Sequence, residues 1–453
     1  MKAVLKFHSG VGRVTGSNFE LEAEGKKYLI DCGLVQGSRF CDDCNYAPFP
    51  YDPKQITKLL ATHAHIDHIG RIPRLVKEGY QGEIISTPQT KELAHILLRD
   101  SVKILAEEAK RADKEPLYEN ADVDQALSQW RTEPYHKEFN CEPFAVTFKD
   151  AGHILGSAMV SFTHGTTTFI ATGDLGNSPA PLLPDTETIQ GTQYLLTESV
   201  YGDRNHEERD LRREKLKQAV LDIKKRGGTL LIPAFSVERT QVLLYELNNF
   251  FEDNEVPQVP VYLDSPLAIA ATEIYGNNSE LFKESVQKEI QDGDDIFSFP
   301  GFTFVDSAKE SKALDNAPNP KIIIAGSGMS MGGRIVRHEK NLLEDKNSIL
   351  LLVGYQGIGT LGRRIAEGEK RIKIMGETVS VKAEIRKVSG YSAHKDGDNL
   401  LEFIGTAKDT LKEVFVAMGE PAASQFLAQR IHDFLDVSAV VPTEGEHAEL
   451  NFS

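Results

Sequence analysis

The sequence predicts a mixed α/β protein in which strand-rich outer segments enclose an inserted α/β unit. Three observations carry this. The chain opens on alternating apolar patterns around a Glu24-Gly25 turn, which read as a hairpin. Near His206 the texture changes to longer helices alternating with short buried strands, the pattern of βαβ units. After about residue 385 the tail returns to short strands separated by helices.

The elements follow in order. Residues 2–7, 18–24 and 27–31 are expected strands. Residues 58–62 form a short apolar run that ends in HAHIDH, and Ile69, Ile72 and Leu75 then recur at helical spacing, so the histidines sit between a strand and a helix. Residues 89–130 are charged and periodic in Leu, Ile and Ala, which predicts helices; 144–148, 158–162 and 167–172 predict strands. In the insert, helices at 210–225, 237–251 and 335–343 alternate with strands at 229–232, 259–263, 321–325 and 348–353. Strands at 381–388 and 414–417 and helices near 399–404 and 422–435 complete the chain. The boundaries expected are 1–205, 206–385 and 386–453.

At 453 residues, 40% of them hydrophobic, the chain has material for two or three cores and is not disordered. The formal net charge of −16 argues against coating nucleic acid or an anionic membrane through bulk charge. Residues 206–385 hold 24 Lys+Arg and 28 Asp+Glu, so most of the acidic excess lies outside the insert. Four cysteines cannot staple a chain of this length, and neither a signal-peptide core nor a membrane-length apolar run is evident, so a soluble, cytoplasmic protein is expected.

The strongest chemical signal is His63-Ala-His65-Ile-Asp67-His68. Imidazole and carboxylate suit zinc or manganese, and four of them in six residues at a strand-to-helix turn converge on a small volume. Two more candidates stand at strand ends beside glycines: His153 in DAGHILGS and Asp174 in ATGDLG. They offer a further histidine for one metal and a carboxylate able to bridge two. Cys41 and Cys44 have metal spacing, but Cys32 and Cys141 stand apart from them, so the pair reads as incidental. His206, His338 and His432 read as surface residues, and Trp130 belongs to no stacking stripe.

The HxHxDH pattern with the later histidine and aspartate resembles the metallo-β-lactamase superfamily. Thr197-Glu198-Ser199, the stretch from Pro233 through Arg239 to Gln241, Asp264-Ser-Pro-Leu267 and Ser392-Ala393-His394 resemble its β-CASP branch, and among these the short bacterial relatives of the mRNA 3′-end processing endonuclease. The resemblance implies a four-layer αββα domain built from both ends of the chain, with the β-CASP α/β domain inserted and the active site in the cleft between them. It implies one zinc on His63, His65 and His153, a second on Asp67 and His68, and Asp174 bridging. It implies that Glu198 supports His394 as a general acid while hydroxide held between two metals attacks a phosphodiester of single-stranded RNA. Asp31 would orient a ligand histidine or be an ordinary turn aspartate. The loop holding Ser327 and Gly328, with Arg239, Arg334 and Ser392, would contact RNA. A homodimer is admitted, a membrane partner is not, and sequence selectivity is expected to be low.

One position departs from the family. Where members carry a histidine that completes the second metal's shell, the sequence reads Val416-Ala417-Met418-Gly419-Glu420. A thioether is a poor ligand for zinc or manganese, so Met418 reads as a packing residue and the second metal as labile. His447 is a weaker substitute. The alternatives are a degenerate homologue that binds RNA without cutting it and, less favoured, a small-ester metallohydrolase.

Overall fold

The computed structural model describes residues 1–37, 43–354, 356–357 and 359–453, the side chain of Arg209 excepted; Cys41 lies outside them. It divides into two compact units. The first comprises residues 1–180, 184–205 and 394–453; the second comprises 181–183 and 206–393.

Among the described residues the first unit holds two seven-stranded sheets. One runs in the order His447–Asn451, Lys2–Ser9, Asn18–Ala23, Lys26–Ile30, Lys58–Leu60, Glu83–Ser86, Trp130–Thr132. The hairpin forms because residues of one face alternate into the core, Ala3, Leu5 and Phe7 against Leu21 and Phe19, in antiparallel register. The second sheet runs Ser438–Val440, Glu413–Val416, Tyr194–Thr197, Thr167–Ala171, Ala158–His164, Phe144–Asp150, Phe139–Cys141. Phe7, Tyr28 and Leu5 of one sheet share a core with Phe144, Phe148, Phe162 and Phe169 of the other, so the sheets pack face to face.

Strands 26–30, 58–60, 83–86 and 130–132 are parallel, and parallel neighbours need crossovers. Helix Ile72–Lys77 lies in the crossover from 58–60 to 83–86, and helices Pro88–Arg111 and Asn120–Ser128 lie in that from 83–86 to 130–132. On the outer face of the second sheet, Met159, Ile170, Leu195, Val414 and Val416 pack with Leu400 and Phe403 of helix Gly397–Gly405 and Leu427 and Ile431 of helix Pro421–Leu435. The layers are therefore helix, sheet, sheet, helix.

Among the described residues the second unit holds a parallel six-stranded sheet in the order Phe302–Phe304, Val261–Asp264, Lys321–Ala325, Thr229–Pro233, Ile349–Leu352, Glu384–Lys387, and a two-stranded antiparallel one of Arg371–Ile374 and Glu377–Ser380. The central strands 229–233, 321–325 and 349–352 are buried at every residue, as a strand covered on both faces requires. The unit continues to residue 393 because strand 384–387 pairs with 349–352. Of residues 381–388, only 384–387 are strand. Among the described residues no helix is long and apolar enough to cross a membrane.

Candidate metal centre

The candidate ligands follow strand ends. His63 to His68 come after strand 58–60, His153 after 144–150, Asp174 after 167–171, Glu198 directly after 194–197 and Asp31 directly after 26–30. Strands 167–171, 194–197 and 413–416 are parallel, so their C-terminal ends share one rim of the second sheet. Glycine permits the backbone to close there. A Cβ at Gly176 would sit 1.9 Å from the Gly152 carbonyl, and one at Gly33 would sit 1.6 Å from that of Asp67.

His65 Nδ1 lies 3.0 Å from His63 Nε2 and 3.2 Å from His153 Nε2, and Asp174 Oδ2 is 3.6 Å from both of the latter nitrogens. Four ligand atoms about 2.0–2.1 Å from a tetrahedral metal stand roughly 3.4 Å from one another, so the spacing suits one cation. On the other side, His68 Nε2 and Asp174 Oδ1 face each other at 3.3 Å, and both atoms are buried without a hydrogen-bond partner among the described residues. Buried polar atoms left open in this way mark a place for an ion. The donor set therefore fits one divalent cation on His63, His65, His153 and Asp174, with the His68–Asp174 pair standing open beside it.

Partners behind the ring fix this arrangement. Asp31 is 1% exposed; it accepts from His68 Nδ1 at 2.6 Å, from the Thr62 amide and hydroxyl at 2.8 and 2.9 Å, and from Ser17 Oγ at 3.0 Å. Asp31 thus accepts hydrogen bonds from one ring, one amide and two hydroxyls, all of them buried. Thr62 Oγ1 also stands 3.1 Å from His63 Nδ1. Thr62 and Ser17 carry no motif that marks them beforehand.

The electrostatics set the candidate ligands apart. Burial alone would lower the His68 pKa, but Asp174 and Asp31 on either side of the ring raise it well above the usual value. Burial holds His63 well below the usual value, the neutral form that binds metal. Asp67, in the first turn of helix Ile66–Ile69, is pushed up to about 6 by burial, with the Asp174 charge acting in the same direction. Burial would raise Asp174, yet His68 and His394 hold it well below the carboxylate range.

His394 Nδ1 lies 3.2 Å from Glu198 Oε2 and 3.8 Å from Asp174 Oδ2. Glu198 is 1% exposed and also accepts from the Leu175 amide at 2.6 Å. Burial would lower His394, but Glu198 first and Asp174 second raise it to about 9. Asp174, Glu198 and His394 also form a group tight enough to hold an ion.

Family profiles match this chain in three blocks: the metallo-β-lactamase superfamily over residues 11–234, the β-CASP domain over 240–365, and the zinc-dependent metallo-hydrolase RNA specificity domain over 378–442. Ribonuclease TTHA0252 of Thermus thermophilus is 37% identical over 86% of this chain and 88% of its own length. The chain belongs to the β-CASP branch of the metallo-β-lactamase superfamily. Transcription termination factor FttA of Methanosarcina mazei is 32% identical over 97% of this chain and 70% of its own, and an RNase J-like protein of Methanocaldococcus jannaschii is 29% identical over 98% of both. A crystal structure of a protein of unknown function from Enterococcus faecalis V583 shares the fold, with a TM-score of 0.57 at 13% identity over 99% of this chain and 100% of that one. As a member of this branch, the chain is a metal-dependent hydrolase.

Met418 is 3% exposed, sits at φ 44°, and belongs to the core between the two sheets. Its Sδ lies where a Cβ on Gly10 would come within 2.7 Å. His447 is exposed on the strand paired with Lys2–Ser9, opposite Lys6. His432 is at the surface, as its sequence context suggests, but His338 is not: it is 1% exposed and bonded through Nε2 to Asp264 at 2.6 Å. Trp130 is buried and donates to Ser86 Oγ at 2.9 Å.

The residues expected to contact RNA lie in the second unit, where each has partners of its own. Arg334 donates to Asp264 Oδ1 at 2.6 Å and to the carbonyls of Val305 and Asp306; Arg239 is buried and donates to the Val353 carbonyl. Ser327 Oγ accepts from the Met331 amide at 3.1 Å, the Gly328 carbonyl accepts from Gln356 Nε2 at 2.9 Å, and Ser392 is buried.

Proposed function

We propose that this protein is a ribonuclease that hydrolyses phosphodiester bonds of single-stranded RNA with two zinc ions and a histidine acid. One observation carries the reading: the open His/Asp cluster and the Glu198–His394 pair meet at a single carboxylate, Asp174. Relatives named as a ribonuclease and as an RNase J-like protein support RNA as the substrate.

His63, His65, His153 and Asp174 would hold one cation, and Asp67, His68 and Asp174 the other. When bound, such cations neutralise charge on the phosphate and activate water. The chain's own groups do the rest. Asp31 fixes the His68 ring through Nδ1, so Nε2 points at the site. Glu198 holds Nδ1 of His394, which leaves Nε2 to deliver a proton to the departing 3′ oxygen. Such acid assistance is worth roughly 10²- to 10⁴-fold.

The second cation binds more weakly than the first, because the residue at the family's remaining histidine position is a core methionine. The same substitution favours a second reading, an RNA-binding homologue that does not cut. End-labelled single-stranded RNA incubated with wild type, His65→Ala and His394→Ala separates the two. The nuclease reading expects cleavage by wild type alone at full rate; absence of cleavage by metal-loaded wild type would favour the binding or the ester-hydrolase reading, and wild-type rates in His65→Ala would remove the metal assignment.

A further inference from the structure

His394 and Asp174 stand on separate segments, 174–178 after strand 167–171 and 394–396 before helix 397–405, and neither segment is regular structure. Backbone contacts join them. Gly176 and His394 form an isolated antiparallel bridge, and the Lys395 amide donates to the Leu175 carbonyl at 2.9 Å. The Leu175 amide in turn donates to Glu198. Onto this stitch the chain adds one long side chain. Lys395 is 5% exposed, and its ammonium donates to the Gly176 carbonyl and to Ser178 Oγ, each at 3.0 Å.

A buried ammonium is costly, and burial lowers the pKa of this one. An apolar side chain of similar length would fill the same space without that penalty. What the ammonium adds is direction: two donors from residue 395 gripping residues 176 and 178, so that the loop carrying Asp174 and the peptide carrying His394 cannot slide past each other. Catalysis is sensitive to such shifts, since about 1 Å of misplacement costs on the order of 10²-fold.

We propose that Lys395 is a positioning residue that clamps the Asp174 loop to the His394 segment and so sets where His394 delivers its proton. The inference rests on the reading of His394 as the acid. It predicts a defect confined to the step that needs a proton.

The test compares two single-stranded RNA oligonucleotides, one natural and one whose departing 3′ oxygen is replaced by sulfur. A thiolate leaves without protonation. Wild type, Lys395→Met, Lys395→Arg, Ser178→Ala and His394→Ala are assayed on both, with bound metal measured by mass spectrometry and folding by thermal unfolding. Lys395→Met is expected to lower kcat on natural RNA by roughly 10- to 100-fold with little change in KM, to cleave the sulfur substrate within about twofold of wild type, and to keep its metal. Lys395→Arg restores part of the loss, and Ser178→Ala, which removes one acceptor, shows a smaller defect of the same kind.

Equal losses on both substrates, or loss of metal, would make Lys395 a structural residue and overturn the inference. If Lys395→Met does not fold, Ser178→Ala and Lys395→Arg decide by the same ratio. If His394→Ala loses both substrates alike, the acid assignment falls and the inference with it. If His394→Ala discriminates and the Lys395 and Ser178 variants do not, only the inference falls.

Discussion

Each compact unit buries an aspartate against a histidine just beyond or at the end of a parallel strand, and the two pairs end differently. In the second unit Asp264 is saturated: His338, Ser311 and Arg334 each donate to it at 2.6 Å. In the first unit Asp174 Oδ1 and His68 Nε2 confront each other without satisfying one another. Both carboxyls are held below their usual range, so charge alone does not separate them. The number of donors does. Arg334 and Ser311 close the Asp264 site with protein, whereas the imidazole nitrogens nearest Asp174 stand 3.3 to 3.6 Å away and leave its Oδ1 without a hydrogen-bond partner among the described residues. A closed network stiffens a domain; an open one waits for a cation.

The largest expected effect follows at the open site. Asp174→Asn should abolish the shared ligand and lower RNA cleavage by more than about 10²-fold, with metal content falling in parallel. Wild-type rates with full metal would break the contrast. At the closed site, Asp264→Asn should cost stability instead, about 3–5 kcal/mol, because the buried His338 and the partly exposed Arg334 lose their partner. Denaturant unfolding should register that loss identically with and without chelator.

Chelation supplies the converse. Cations present at about 100 times their dissociation constant stabilise the folded chain by about 2.7 kcal/mol, so removing them should lower the unfolding midpoint of wild type and of Asp264→Asn, but not of Asp174→Asn. Asp31→Asn should weaken metal binding by roughly 10- to 100-fold without emptying the site, as equilibrium dialysis would read.

The smallest effect is a pH dependence. Glu339, on the same helix as His338, is pushed by burial from 4.5 to about 8. The folded protein keeps this proton while the unfolded chain releases it, so the contribution to stability is complete below pH 4.5 and is lost as pH rises toward 8. Glu339→Gln should flatten that part of the stability profile. For activity, His394 must be protonated, so cleavage of natural RNA should fall on an alkaline limb at or below about pH 9, since bound cations lower the value further.

The local motif was legible because its chemistry is contiguous: His63 to His68 span one turn, and no tertiary contact is needed to bring them together. His153 and Asp174 were legible through their glycines, of which Gly152 and Gly176 admit close approach of one backbone to the other. Strand 194–197, which delivers Glu198, gave no signal: four apolar or small residues buried on both faces have no alternation to read. The last strand, His447–Asn451, alternates polar and apolar residues and pairs with Lys2–Ser9 at the far end of the chain, so its partner lies beyond any local window. His338 was misread because its helix is charged along most of its length; the sheet brings Asp264 beneath it, 74 residues earlier.

By itself, then, the amino-acid sequence determined the ligand types, their grouping at a strand-to-helix turn, the α/β alternation of the insert and the departure at Met418. Those features depend on side-chain chemistry and on periods of two to four residues. The tertiary structure alone decided which atoms are left open. Whether Asp174 Oδ1 finds a donor, whether Asp31 reaches His68, and whether Lys395 grips Gly176 are set by contacts spanning from tens of residues to 219. Hydrogen bonds reach about 3 Å, and only the folded chain places distant residues within that range.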